Sequence, residues 1–243
     1  MQKILLVCAL TISLGRTLQK SCLFAVAAQG QEQQNDKFIQ GIQVGDPEAI
    51  TEAGKSGNRV FVPYLTEELK HRKRVRGSDT KLIEALRIAL ARLGDTQQLQ
   101  QFWCSSLTED PSTGLHPTLI FGKIGGWFSI QALEVFLTPE GQTHWKKAYS
   151  RFGGKYDNDV IQMPPTFDVL ETLPKLVPNP PVGTPSSESR SQPEQLVKIW
   201  QEWIATHKEE LSKLQPTGDG VNISENGCRN GRPKDKRRVV PPI

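Results

Sequence analysis

The chain has 243 residues, of which 37% are hydrophobic, a length that holds one ordinary domain plus tails. Net charge is +4, and Lys3, Arg16 and Lys20 supply three of those charges within the acid-free residues 1–27, which leaves +1 for the remainder. So small a surplus excludes nucleic-acid binding driven by overall charge, the lack of a Cys-x-x-Cys or Cys/His spacing excludes a zinc finger, and the two cysteines beyond residue 28 are too few for a disulfide framework.

The first segment has the layout of a secretory signal. Met1-Gln2-Lys3 is a short basic start, Ile4 to Leu14 an apolar run, and Ala25-Val26-Ala27 a small-residue cleavage site. Neither this run nor the second apolar piece, Cys22 to Ala28, approaches the roughly 20 residues that a membrane helix needs. The expectation is a signal peptide over 1–28, with cleavage near residue 27–28 and export to the periplasm or the extracellular space. Cys8 and Cys22 leave with it. Of the remaining two, Cys104 is expected to be a small buried apolar residue and Cys228 a free thiol in a polar tail. Residues 29–37 form a polar leader, expected to be disordered.

From Phe38 to about 150 the pattern is helical. Asp46-Pro47 places a capping side chain before a proline suited to the first turn, starting a short helix that ends near Gly54 to Gly57. A helix over about Val60 to Arg74 carries Phe61, Val62, Leu65 and Leu69 on one face. Asp79 to Leu93 is the clearest helix, with Leu82, Leu86, Ala89 and Leu93 in line and Ile83 and Leu90 beside them. Gly94 ends it, and Asp95 restarts the chain with Gln98 three residues later as a capping box. Leu99, Phe102, Trp103 and Leu107 follow at helical spacing. A further pair begins near Pro117, turns at Gly125-Gly126, continues through Ile130, Leu133, Phe136 and Leu137, and stops at Pro139-Glu140-Gly141.

The turns repeat. Ile42-Gln43-Val44-Gly45-Asp46, Ala91-Arg92-Leu93-Gly94-Asp95 and Gly122-Lys123-Ile124-Gly125-Gly126 each set an apolar residue before glycine. The chain here resembles HEAT-type repeats, especially the short bacterial class named for phycobilisome lyases, whose units run helix, Leu-Gly-Asp, helix. The likeness covers residues 38 to 141. Gly126 departs from it by replacing Asp, and the intervals are uneven, 49 residues from Gly45 to Gly94 and 31 from Gly94 to Gly125. The resemblance implies a short α-solenoid, in which helix pairs that cannot bury their apolar faces alone stack on one another. An unrelated small helical bundle is the competing architecture.

Residues 151–192 read as a Pro-rich linker, with 8 of the chain's 17 prolines between Pro164 and Pro193, draped over the solenoid through Phe167, Val169, Leu170 and Leu173. Residues 193–215 form an amphipathic helix carrying Leu196, Ile199, Trp200, Trp203, Ile204, His207, Leu211 and Leu214, opened by Ser191-Gln192-Pro193-Glu194 and supported by a Glu209–Lys213 pair. It resembles the Trp-x-x-Trp helix that follows HEAT segments in exported bacterial proteins, which implies a terminal cap. Residues 216–243 are expected to be a disordered basic tail.

Candidate chemistry is thin. The histidines His71, His116, His144 and His207 are not followed by Glu, so the paired His-Glu ligands of the di-iron HEAT enzymes are missing. No zincin motif, phosphate loop or nucleophile elbow is present. The basic run Lys70-His71-Arg72-Lys73-Arg74-Val75-Arg76 suits a helix C-terminus. Arg229, Arg232, Lys234, Lys236, Arg237 and Arg238 form a second cluster able to meet an anionic surface. Asn222-Ile223-Ser224 is a glycosylation sequon, with meaning only in a eukaryotic secretory host. Trp127, just past a repeat turn, is the candidate exposed interface anchor. The expectation is an all-α, HEAT-like solenoid with a C-terminal capping helix, acting as a non-catalytic scaffold for a protein or peptide. It has no catalytic residue, metal or cofactor. The alternatives are an enzyme or enzyme accessory of the bilin-lyase kind and a basic-tail binder of anionic surfaces.

Overall fold

The structure is a computed structural model that describes residues 32–75, 77, 79–107, 117–141, 166–185, 193–224, 227–229 and 232–233. The signal segment 1–28, Arg76, His116, His144, Trp145 and the tail cluster from Lys234 lie outside the described residues. What is described is mostly helical. Helix α1 covers 32–44, beginning ahead of Phe38 in the stretch read as a leader. Then come α2 (Pro47–Lys55), α3 (Val62–Arg74), α4 (Thr80–Arg92), α5 (Thr96–Ser106), α6 (Pro117–Ile124), α7 (Gly126–Phe136), α8 (Thr166–Thr172), α9 (Pro193–Thr206) and α10 (Lys208–Leu211). Two-residue strands, β1 (Cys228–Arg229) and β2 (Arg232–Pro233), pair antiparallel near the end.

The first two repeat turns share one hydrogen-bond design. At Gly45, φ is +77° and at Gly94 +80°, left-handed backbone that a side chain adopts at a cost of about 1–2 kcal/mol. In each turn the glycine N–H bonds back three residues, to Ile42 O or Ala91 O, and the next N–H bonds back five, to Gly41 O or Leu90 O. This is a Schellman closure, and it satisfies carbonyls that the helix end would leave orphaned. The aspartate that follows then caps the next helix: Asp46 Oδ1 accepts from Glu48 N–H at 3.0 Å, and Asp95 Oδ1 from Gln98 N–H at 2.9 Å. Only half of the expected capping box forms, because the Gln98 side chain accepts from Arg87 Nε at 3.3 Å instead.

The Gly125-Gly126 turn solves the same problem differently. Gly125 N–H bonds to Phe121 O, and no aspartate follows. Two carbonyls from far along the chain cap α7: Leu214 O accepts from Trp127 N–H at 3.0 Å and Pro216 O from Phe128 N–H at 3.1 Å. A Cβ on Gly126 would lie 2.4 Å from both Gln215 C and Pro216 N. The departure from Asp therefore has a physical cause, since only glycine lets that backbone approach.

Two apolar cores result, and α4 is the wall between them. On one side Leu82, Leu86, Ala89, Leu90 and Leu93 meet Ile42, Ile50, Phe61, Leu65 and Leu69. Helices α2 and α4 cross closely at Gly54, where a Cβ would sit 2.7 Å from Ala89 Cα. On the other side Ile88 and Ala91 join a larger, aromatic-rich core built on α5, α6, α7, α8 and α9, with Trp103, Phe121, Phe128, Phe136 and Trp200 fully buried. The stretch read as a linker contributes to it directly. Residues 166–172 are helical, and Phe167, Val169, Leu170 and Leu173 are buried, as the apolar spacing implied.

The C-terminal part differs most from expectation. Cys104 is fully buried, as expected, but it is bonded to Cys228 across 124 residues, with Cα atoms 5.4 Å apart. Cys228 is thus not a free thiol. Residues 216–224, read as the start of a disordered tail, lie against α5 and α7. Pro216 is buried, Val221 and Ile223 are partly buried against the aromatic core, and β2 packs on α5. Closing so long a loop restricts the unfolded chain by about 4–5 kcal/mol in the chain-entropy model.

Candidate binding groove along helix α4

Trp127 does not serve as the exposed anchor. Its side chain is 7% exposed and belongs to the aromatic core, because the segment through Leu214 and Pro216 closes over the start of α7. The faces of α5 and α7, the helices that follow their glycine turns, are covered by the chain's own C-terminal residues. Among the described residues, two open grooves lie along α4.

One groove there has a volume of about 510 Å³. Ala85, Ile88 and Ala89 form an apolar floor on α4, and Thr51 of α2 stands on one side. Lys81, Glu84 and Arg92 of α4, with Lys123 of α6, form a charged rim. The helical repeat explains the grouping, since positions 81, 84, 85, 88 and 92 lie along one face. The small side chain of half-buried Ala85 leaves a depression that a longer one would fill, and Ala89, buried against Gly54 of α2, lets the two helices close beneath it. A second groove of about 320 Å³ runs on the other side of Lys81 and Glu84, with Ile83, Arg87, Phe102 and Ile120 in its walls.

The rim is held in place. Lys123 Nζ pairs with Glu84 Oε1 at 3.0 Å, and Arg92 Nε donates to the Lys123 carbonyl at 2.7 Å. These contacts tie α4 to α6 across the groove. Burial lowers the Arg92 pKa, and the nearby Glu52 carboxylate works against that shift. The guanidinium stays charged in either case. With Glu84 engaged by Lys123, the rim retains positive charge from Lys81 and Arg92. Beside the second groove the Arg87 guanidinium lies 4.5 Å from the centre of the Phe102 ring. Lys73 of α3 is pushed down by burial first and by the charge of Arg87 second.

The first basic run behaves as a charged helix end. His71, Arg72, Lys73 and Arg74 occupy the last turn of α3, Arg72 pairs with the buried Glu68, and Lys70 pairs with Glu67 at 3.6 Å. Of the second cluster, Arg229 and Arg232 fall in the short strands. His207 stacks on Trp203 at 4.4 Å, and its ring nitrogen Nδ1 lies 2.9 Å from Trp203 O. Among the described residues no three His, Cys, Asp or Glu side chains gather as a metal site. No described helix is long and apolar enough to cross a membrane.

Sequence reasoning missed the groove because its residues come from three helices whose packing had to be known. The signal that existed was the row of small residues, Ala85 and Ala89, flanked at helical spacing by Lys81, Glu84 and Arg92. No family model, curated protein or solved structure matches the chain.

Proposed function

We propose that this chain is a non-catalytic, exported scaffold of HEAT-like helical repeats that binds a protein or peptide along α4. The observation that carries the reading is the groove itself, an apolar floor under a cationic rim, spanning α2, α4 and α6. Such a surface suits an acidic segment with aliphatic side chains, which would set apolar groups on Ala85 and Ile88 and carboxylates near Lys81 and Arg92. The identical closures at Gly45 and Gly94 support the repeat reading, as does the stacking of α2, α4 and α6 side by side. The Cys104–Cys228 bond supports export, since such bonds persist in oxidising compartments.

The test places a photo-crosslinking residue at Ala85 in the native cells, with the same residue at exposed Glu209 as the control. The expected result is a discrete adduct at position 85 alone, lost when Lys81→Glu and Lys123→Glu are combined. Equal labelling at both positions, or an adduct indifferent to those charges, would remove the groove as the binding surface.

A further inference from the structure

The floor of the larger groove on α4 offers side chains and no main chain. Ala85, Ile88 and Ala89 lie inside α4 and Thr51 inside α2, so their backbone N–H and C=O groups are spent on bonds along those helices. Near the end of α6 the Lys123 carbonyl already accepts from Arg92 Nε at 2.7 Å. The charged groups around the floor are mostly cations. Lys81 and Arg92 stand on one face of α4, three helical turns and about 16 Å apart. Lys123 stands across from them on α6 and engages Glu84, the one carboxylate among the lining residues.

Backbone accounting decides what can lie on such a floor. An extended segment pressed onto Ala85 and Ile88 would carry N–H and C=O groups out of water with nothing beneath to meet them. Each would forfeit a hydrogen bond. A helix arrives with those groups already paired and turns a single stripe of side chains to the floor. The depression at Ala85 gives a ridge of that stripe somewhere to sit. The flanks of the same helix would carry carboxylates past Lys81 and Arg92, opposite in charge to the rim.

We propose that the occupant of this groove is an acidic, amphipathic helix of a partner protein, lying along α4 with aliphatic side chains on Ala85 and Ile88 and carboxylates at Lys81 and Arg92. This rests on α4 being the binding surface and adds the form that the bound segment takes.

The test uses the full chain in the native cells. A short diazirine-bearing residue is placed in turn at Lys81, Ala85 and Arg92, each variant keeping at least two of the three rim cations, and mass spectrometry maps the labelled residues of the partner. Adducts from positions 81 and 92 should fall about eleven residues apart in the partner's sequence, because two helices side by side rise by the same step. The adduct from position 85 should lie between them, nearer the one from 81. A separation of about five residues is that of an extended segment at roughly 3.3 Å per residue, and would overturn the helix while leaving the groove as the binding surface. Labels with no constant separation would overturn it too. No adduct from position 85 would remove the groove and the helix together. A synthetic peptide spanning the mapped residues, titrated against the purified chain, gives a second readout. Proline at its central solvent-facing position should weaken binding about tenfold or more, and alanine there about twofold or less. Equal binding of those two peptides would also overturn the helix.

Discussion

The turns at Gly94-Asp95 and Gly125-Gly126 both open on a glycine at positive φ, +80° and +76°, yet they depend on different parts of the chain. The first is self-contained. Its glycine, its aspartate and the carbonyls they meet all lie within a few residues, and nothing stands within 4 Å of a Cβ built on Gly94. The second needs Leu214 and Pro216 to cap it and tolerates no side chain at Gly126. The same contrast separates the two cores. The N-terminal one is built from neighbours in sequence. The C-terminal one draws on α8, α9, residues 214–224 and a disulfide.

Substitution at the two glycines should expose this contrast most strongly. Gly126→Ala must strain the backbone and drive Gln215 and Pro216 away, a loss of about 3–5 kcal/mol. Gly94→Ala meets open space and should lose only about 1–2 kcal/mol. Urea midpoints of the two variants measure the gap, and equal losses would mean that the distant caps contribute little. Cys228→Ala should cost about 2–4 kcal/mol, read as a lower thermal midpoint. That difference should vanish when both proteins are fully reduced. Asp95→Ala removes a local cap and should cost about 1 kcal/mol, with helicity falling slightly in circular dichroism.

The smallest effect concerns Glu134 on α7, whose pKa is raised by burial, with Lys208 opposing. A carboxyl with a raised folded pKa binds protons more readily folded than unfolded. Its contribution is therefore most favourable below its unfolded pKa and declines as pH rises through its folded value. Glu134→Gln should flatten that decline just above the ordinary glutamate range and leave acid stability unchanged. An unaltered pH profile of stability would show that the charge is solvated by other means.

Local structure was legible because its causes are local. Asp46-Pro47, Asp79 and Gly94-Asp95 each contain the donor, acceptor and backbone freedom of the turn they make. The Glu209–Lys213 pair forms at 3.7 Å for the same reason. Trp127 and Cys228 were misread because their surroundings are supplied from about 90 and 124 residues away. A signal for the disulfide did exist, since the expected loss of an export segment would leave two cysteines, an even number for the oxidising compartment that export would imply. The Gly-for-Asp exchange at 126 was also visible as a departure. Its meaning required knowing that Gln215 and Pro216 lie against it.

Helix α4 sets the size of the smallest piece that can stand alone. Ile88 and Ala91 on one face belong to the aromatic core, while Leu86 and Leu90 on the other belong to the N-terminal one. A chain interrupted after α5, as during synthesis or after proteolysis, would present Ile88, Leu99, Phe102 and Trp103 to water as one continuous oily surface. Such an intermediate invites self-association and chaperone capture. That surface is covered in full only once α6 to α9 and Cys228 have arrived.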